Sequence, residues 1–337
     1  MFFNFFGFLL IFLISFLLNK ILIRYSYKLK LIDKPNERSL HKIEKPRSGG
    51  LAIFISFILG ISFFEINVGI YTIFSFFIVF LVGIYDDIKN ISSRLKFFWL
   101  VISATFLFLD GFLITSLGHF AGIDLLMPPI VTYLFLIFAV VGFINAMNLI
   151  DGLDGLSSGI GIVILLSFAY IGFKYNDTFL FNISILLISS LLGFLFFNWN
   201  PSKIFMGDTG SLTLGFVIVI LSIHSINKNY VSAVSILLIA AVPILDTLIV
   251  MIRRISQNKN PFSPDKKHIH HILLKQQNNN IKKTSLILIL LQIIFVYIGL
   301  GFKTRDDIYI LGAFLMLFLL FYLLLTIKNE KRVKNGK

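Results

Sequence analysis

Eleven apolar runs leave this 337-residue chain almost no room for a water-soluble fold: 2–23, 49–65, 69–85, 96–117, 128–149, 155–173, 178–197, 210–226, 231–251, 284–302 and 308–327. A bilayer crossing takes about 20 apolar residues, so each run is a candidate span. A backbone in hydrocarbon must satisfy its own hydrogen bonds, which makes each span a helix. The mean hydropathy of +0.90, with only 14% charged residues, agrees with this reading. The expected fold is an all-α polytopic membrane protein of about eleven transmembrane helices. No polar linker divides the chain, so residues 1–337 read as a single integral membrane domain, and residues 1–23 read as the first span rather than a cleaved leader.

Lys and Arg are retained on the cytoplasmic side of a membrane protein. Alternating the loops places 26 of the 30 on one side and four, Lys174, Lys228, Lys303 and Arg305, on the other. This split predicts an outside N-terminus and a cytoplasmic C-terminus. The formal charge of +13 mostly records the same rule. A basic inner face attracts anionic membrane lipids or a phosphorylated soluble substrate, whereas nothing in the sequence supports nucleic-acid binding. The absence of Cys excludes disulfides, thiolate metal sites and a Cys nucleophile.

The chemistry-bearing residues cluster in the predicted inner connections, near 24–48, 86–95, 150–154, 198–209 and 252–283. Asp86 and Asp87, in YDDIKN, end the third span at the negative pole of its helix dipole, where two adjacent carboxylates need cationic compensation. Lys89 and Arg94 are the nearest candidates in sequence. Asp151 and Asp154 in NAMNLIDGLDGL are three residues apart, a spacing that shares one helical face. Gly152, Gly155 and Gly159 around them permit close approach of backbone or ligand. Capping of the sixth span accounts for one of these Asp residues, not for the pair with Asn145 and Asn148. FMGDTGSLTLG puts Asp208 at the start of the eighth span, beside backbone amides expected to be free for phosphate. A carboxylate with such amides suits a magnesium pyrophosphate. Asn198 to Pro201 end the preceding span within reach. His268, His270 and His271 form a His-x-His-His string suited to phosphate recognition or proton transfer, and weak as a zinc motif. Asp246 lies inside the ninth span near Pro243, which is expected to distort the helix. Its plain alternative is an ion pair with Arg253.

Taken in order, DKPNERSLH with PRSGG, YDDIKN, NAMNLIDGLDGL, FMGDTGSLTLG and HIHH resemble the polyprenyl-phosphate N-acetylhexosamine-1-phosphate transferases over nearly the whole chain. The resemblance implies a bacterial plasma-membrane enzyme with its active site facing the cytoplasm. It implies transfer of a sugar 1-phosphate from a UDP-N-acetylhexosamine to undecaprenyl phosphate, with release of UMP, at the start of envelope polysaccharide synthesis. By the same resemblance, Asp86 and Asp87 match the family's acidic pair and Asp208 its magnesium aspartate, with Mn²⁺ as a substitute metal. Asn148, Asp151 and Asp154 match the loop that helps hold nucleotide and catalytic groups, Asn198, counted with the substrate-binding residues, an asparagine ten residues before the metal aspartate, and His268, His270 and His271 the histidine motif near the diphosphate. HIHH in place of three adjacent histidines is similar to the branch that uses simple sugars, not a muramoyl-pentapeptide donor. A homodimer is one option for assembly.

The residue types independently allow such chemistry. Two anions must meet, so Mg²⁺ at Asp208 and basic residues must screen them; Lys45, Arg47, Lys266 and Lys267 are candidates, and Asp246 joins the substrate-binding set. A phosphate ionised near neutral pH needs little general-base help, which favours direct attack over a phospho-aspartate intermediate. The rival class is an ion-coupled transporter, but transport sites lie near the bilayer midplane. A muramoyl-pentapeptide transferase and an inactive scaffold are further alternatives.

Overall fold

The computed structural model describes residues 5–35, 43–260, 268–301 and 306–334, with side chains up to 323. Lys266 and Lys267, and most of DKPNERSLH, lie outside the described residues. The chain is mostly helical: α1 (Phe5–Tyr25), α2 (Gly49–Phe63), α3 (Ile70–Lys89), α4 (Ser93–Leu109), α5 (Pro129–Ile150), α6 (Leu156–Lys174), α7 (Thr178–Asn198), α8 (Gly207–Asn227), α9 (Ala233–Ile239), α10 (Ala241–Ser256), α11 (Ile269–Gln276), α12 (Ile281–Gly301) and α13 (Asp307–Lys334). Among the described residues, seven helices are long and apolar enough to cross a membrane, or eight if α9 and α10 count as one bent span. Two further apolar helices, Gly49–Phe63 and Asp307–Leu323, are shorter.

The centre is α8. Its apolar residues face inward on all sides, 89% of its membrane window being buried, whereas α1 is 22% buried and α5 and α12 are 39% buried. A helix that is apolar all round belongs inside the bundle, and α8 packs against α3, α5, α2, α6 and α7. Close approach to α3 depends on Gly83, where a Cβ would lie 2.6 Å from the Thr209 Cα. That contact brings the end of α3 to the start of α8.

Three expectations change. The fourth span, expected over 96–117, ends at Leu109. Asp110 turns back to accept hydrogen bonds from the N–H and hydroxyl of Thr72 (both 2.6 Å) at the start of α3. The apolar residues that follow form an antiparallel hairpin, β3 (Ser116–Phe120) with β4 (Ile123–Leu126); a short apolar run does not distinguish strand from helix by periodicity. A second small pair, β1 (Ile32–Asp33) with β2 (Lys45–Pro46), qualifies the all-α expectation. The long inner connection at 252–283 is also partly helical, because α10 runs to Ser256, α11 occupies its middle and α12 begins at Ile281.

The ninth span is bent by 92° between α9 and α10. Pro243 has no N–H to offer the carbonyl four residues back, that of Ile239. Gln292 of α12, fully buried, supplies the missing partner: its Nε2 donates to the Ile239 carbonyl (2.7 Å) while its Oε1 accepts from the Val242 N–H (3.0 Å). One side chain thus satisfies both backbone groups orphaned by the break. Gln292→Leu is expected to strand both in a buried site, at about 1–3 kcal/mol per group. The measurement is the detergent melting temperature, with hydrogen exchange at 236–246; unchanged protection there would count against this role.

Candidate active site

The carboxylates at the end of α3 and the start of α8 meet over two cations. Arg47, delivered by the segment after β2, donates from Nε to Asp87 Oδ1 (2.8 Å) and from Nη2 to Asp208 Oδ1 (2.8 Å). The Lys96 ammonium, from the first turn of α4, bonds Asp86 Oδ2 (2.6 Å) and also Asp208 Oδ2. Compensation for the acidic pair therefore comes from Arg47 and Lys96, not from Lys89, whose ammonium lies over the Tyr85 ring. The order of the sequence hides this, because Arg47 precedes the pair by two helices and Lys96 reads as the first residue of a span.

Asp87 is wholly engaged. Its Oδ1 also accepts from the Asp208 N–H (2.8 Å), and its Oδ2 accepts from the Thr209 N–H (2.9 Å) and hydroxyl (2.5 Å). The first amides of α8, expected to be free for phosphate, are taken by this carboxylate. A negative charge at a helix N-terminus is favourable, and Asp87 caps α8 from another helix. Gly207 adopts φ +71°, and a Cβ there would lie 2.7 Å from Asp87 Oδ2, so the turn that lets Asp87 in requires glycine. Asp86 is freer: Oδ1 accepts from the Ile91 N–H (2.7 Å), and Oδ2 faces Lys96.

The DGLDG turn between α5 and α6 splits its two acids. Asp154 Oδ2 accepts from Asn200 (2.8 Å) and the Ser202 N–H (3.0 Å), and its Oδ1 accepts from the Ser202 hydroxyl (2.8 Å), so this side chain fastens the α7–α8 connection. Lys45 joins the same knot, donating to Ser202 Oγ (3.0 Å). Asn198 clasps from the other side, accepting from the Gly155 N–H (3.0 Å) and donating to the Ile204 carbonyl (2.9 Å). Asn148 donates to Ser211 Oγ (2.8 Å). Asp151 caps the C-terminus of α5, not the N-terminus of α6. Burial, with Asp208 and Asp87 nearby, drives its carboxyl well above the usual carboxylate range against the pull of Arg47. Asp151 thus lies within electrostatic reach of Asp208, Asp87 and Arg47.

The histidine string opens α11. Asp246 accepts from the Ile269 N–H (2.6 Å) and holds His268 Nδ1 (2.8 Å), so its partner is His268 where Arg253 was the alternative. The bend before α10 thereby positions the histidines. His270 enters the gap left by Gly152, where a Cβ would lie 2.3 Å from its Nε2. Neither ring nitrogen of His270 has a hydrogen-bond partner. The rings of His268 and His270 are stacked at 5.7 Å, and those of His270 and His271 lie 4.2 Å apart.

Burial pushes the His270 imidazole down to about 3, with His271 and His268 adding to the effect and Asp246 opposing it. Unfolded, it titrates near 6.5, so between these values the unfolded chain binds a proton that the fold refuses. This group therefore costs no stability above about pH 6.5 and costs about 1.4 kcal/mol per pH unit as pH falls below it. His270→Gln is expected to flatten the decline of melting temperature between pH 7 and 5; an unchanged slope would refute a neutral, buried His270.

The sequence model of glycosyl transferase family 4 matches residues 69–226. A protein of Bacillus subtilis strain 168 named "probable undecaprenyl-phosphate N-acetylglucosaminyl 1-phosphate transferase" is 39% identical over 266 residues, covering 74% of this chain and 72% of its own. The chain belongs to glycosyl transferase family 4. Undecaprenyl-phosphate alpha-N-acetylglucosaminyl 1-phosphate transferases of Salmonella typhi (32% identity, 75% of this chain, 71% of theirs) and Escherichia coli K12 (31%, 74% and 70%) are also similar. This family member is a phosphoglycosyltransferase of the membrane-embedded type, as the ordered motifs imply.

The structure thus brings Asp86, Asp87, Asp208 and Arg47 together and sets His270 against the DGLDG turn, with His268, which Asp246 holds, and His271 beside it. It uses Asp154, Asn198 and Lys45 to tie the connecting loops. Sequence reasoning missed Lys96, Ser202 and Gln292. A lysine at the very edge of a span was the available signal for the first.

Proposed function

We propose that this protein transfers N-acetylglucosamine 1-phosphate from UDP-GlcNAc to undecaprenyl phosphate, giving the lipid pyrophosphate sugar and UMP. The observation that carries this reading is the gathering of Asp86, Asp208, Arg47 and Lys96 at the same end of the bundle as the DGLDG turn and the HIHH helix. It is supported by the names of the relatives, which specify that donor sugar and acceptor. Eleven crossings, an outside N-terminus and a cytoplasmic site in the bacterial plasma membrane complete the proposal. The crossings rest on the eleven apolar runs and the orientation on the 26-to-4 distribution of Lys and Arg.

In this scheme an oxygen of the lipid phosphate attacks the β-phosphorus of the nucleotide sugar. A new P–O bond forms, the bond to the α-phosphate oxygen breaks, and UMP leaves. The acceptor is already an anion, so no strong base is required, and the full engagement of Asp87 speaks against a phospho-Asp87 intermediate. The donor set fits Mg²⁺: two hard carboxylate oxygens from different helices, Asp86 Oδ2 and Asp208 Oδ2, converge on one cation, at present the Lys96 ammonium. Mg²⁺ held by Asp208 with Asp86, or Mn²⁺ in its place, would offset charge on the phosphates. Arg47 keeps Asp208 oriented, and the neutral His270 offers a buried donor beside the DGLDG turn.

The test supplies purified protein in detergent with undecaprenyl phosphate, Mg²⁺ and radiolabelled UDP-GlcNAc. Label entering the lipid phase with stoichiometric UMP is the expected result. Transfer only from another UDP-N-acetylhexosamine would replace the sugar. No transfer from any donor would overturn the reading.

A further inference from the structure

We infer that the Lys96 ammonium is a resident counter-ion, holding the place of the divalent cation between Asp86 and Asp208, and that metal loading displaces it. The chemistry of the carboxylate oxygens decides this. Asp86 Oδ1 is bound by the Ile91 N–H and Asp208 Oδ1 by Arg47. Asp87 spends both oxygens on the α8 amides, the Thr209 hydroxyl and Arg47. Among Asp86, Asp87 and Asp208, the two Oδ2 atoms of Asp86 and Asp208 are the oxygens with no backbone or guanidinium donor, and Lys96 bridges both. An ammonium and a divalent cation a few ångströms apart repel strongly in a partly desolvated site, so the two cannot share that oxygen pair.

The charges favour an exchange. Asp86, Asp87 and Asp208 bring three negative charges, and Arg47 and Lys96 return two. Replacing the ammonium by a divalent ion neutralises the carboxylates and frees one cation. Lys96 is built to leave, because a lysine is a point charge on a flexible four-carbon stem and its side chain retains 14% exposure as a route to water. Arg47 is held by two ion pairs and also donates to Asn90 (3.5 Å), so it stays. On the proposed function, the released ammonium is available to the phosphates that arrive with the metal, and only this last step rests on that reading. The exchange makes metal and substrate loading cooperative: phosphate contacts stabilise the swung-out lysine, and the swung-out lysine opens the metal site.

The test uses the full chain in detergent, without substrates, and Mn²⁺ titration followed by electron paramagnetic resonance. Lys96→Met removes the competitor and is expected to tighten Mn²⁺ binding by about tenfold. Lys89→Met, which removes a nearby cation that does not touch the pair, should change it much less, and Asp208→Asn identifies the Mn²⁺ counted as the ion at this site. In wild-type protein, Lys96 should resist reductive methylation without metal and become reactive with saturating Mn²⁺, read by peptide mass spectrometry. Equal or weaker binding by Lys96→Met, no Asp208-dependent binding in either protein, or a Lys96 that stays protected with metal bound would each overturn the exchange. Label transfer measured on the same wild-type preparation separates the two ideas. Transfer without exchange rejects this inference alone, and exchange without transfer rejects the proposed function alone.

Discussion

Asp87→Ala is expected to destabilise the protein by about 3–5 kcal/mol, the cost of removing one partner of a buried ion pair. Its side chain is 1% exposed and holds the first turn of α8, the most enclosed helix of the bundle. Removal strands the Asp208 and Thr209 amides and leaves Arg47 Nε facing a void. The expected phenotype is a lowered melting temperature in detergent, with loss of hydrogen-exchange protection at 207–211. Transfer should fall in step with the folded fraction. A variant that keeps wild-type stability yet loses transfer would show that Asp87 acts chemically and not as a cap.

Asp208→Asn is the complementary case: transfer should fall by about a thousandfold or more while the fold survives. The Asn carbonyl can still accept from Arg47 in place of Oδ1, and the first turn of α8 stays capped by Asp87. Asn gives up ionic contacts with Arg47 and Lys96, but the α8 cap and its first amides stay satisfied, so the stability loss should be smaller than for Asp87→Ala. The pair of variants, measured for both melting temperature and transfer, assigns stability to one aspartate and chemistry to the other. A thousandfold loss accompanied by unfolding in Asp208→Asn would erase that distinction.

Much of the site was legible before any coordinates. The acidic pair at the dipole-negative end of α3 announced that cations had to compensate it, and two do, Arg47 and Lys96 in place of the neighbours Lys89 and Arg94 that the sequence suggested. The string of glycines around Asp151 and Asp154 announced close approach, and His270 at Gly152 and Trp199 against Gly155 are what approach. Pro243 announced a distorted span, and the bend falls at Ala240, one turn earlier, because the carbonyl that loses its partner is that of residue 239. The fourth span was overextended because FLITSL is equally apolar as strand or helix, and only the tie from Asp110 to Thr72 stops the helix.

The amides at the start of α8 show the limit of reading by motif. GDTG has the form of an anion site, and in the fold it is one, but the anion is Asp87. Nothing in FMGDTGSLTLG says that a carboxylate 121 residues upstream lies 2.8 Å away. The partners of Lys96 were equally hidden, since its place at the edge of a span says nothing of Asp86 and Asp208.

The sequence by itself determined the membrane class, the succession of helices and the end of the bundle where chemistry gathers. Those follow from hydropathy and charge, which act residue by residue along the chain. Tertiary structure alone decided which carboxylates are spent on structure and which remain for a metal. Asp86, Asp87, Asp151, Asp154 and Asp208 are the same chemical group, and their roles diverge only through partners that arrive from distant helices: Thr209 for Asp87, Ser202 for Asp154, and Lys96 for Asp86 and Asp208. A carboxylate offers a fixed number of lone pairs, and which neighbours claim them is set by helix packing that local sequence does not encode.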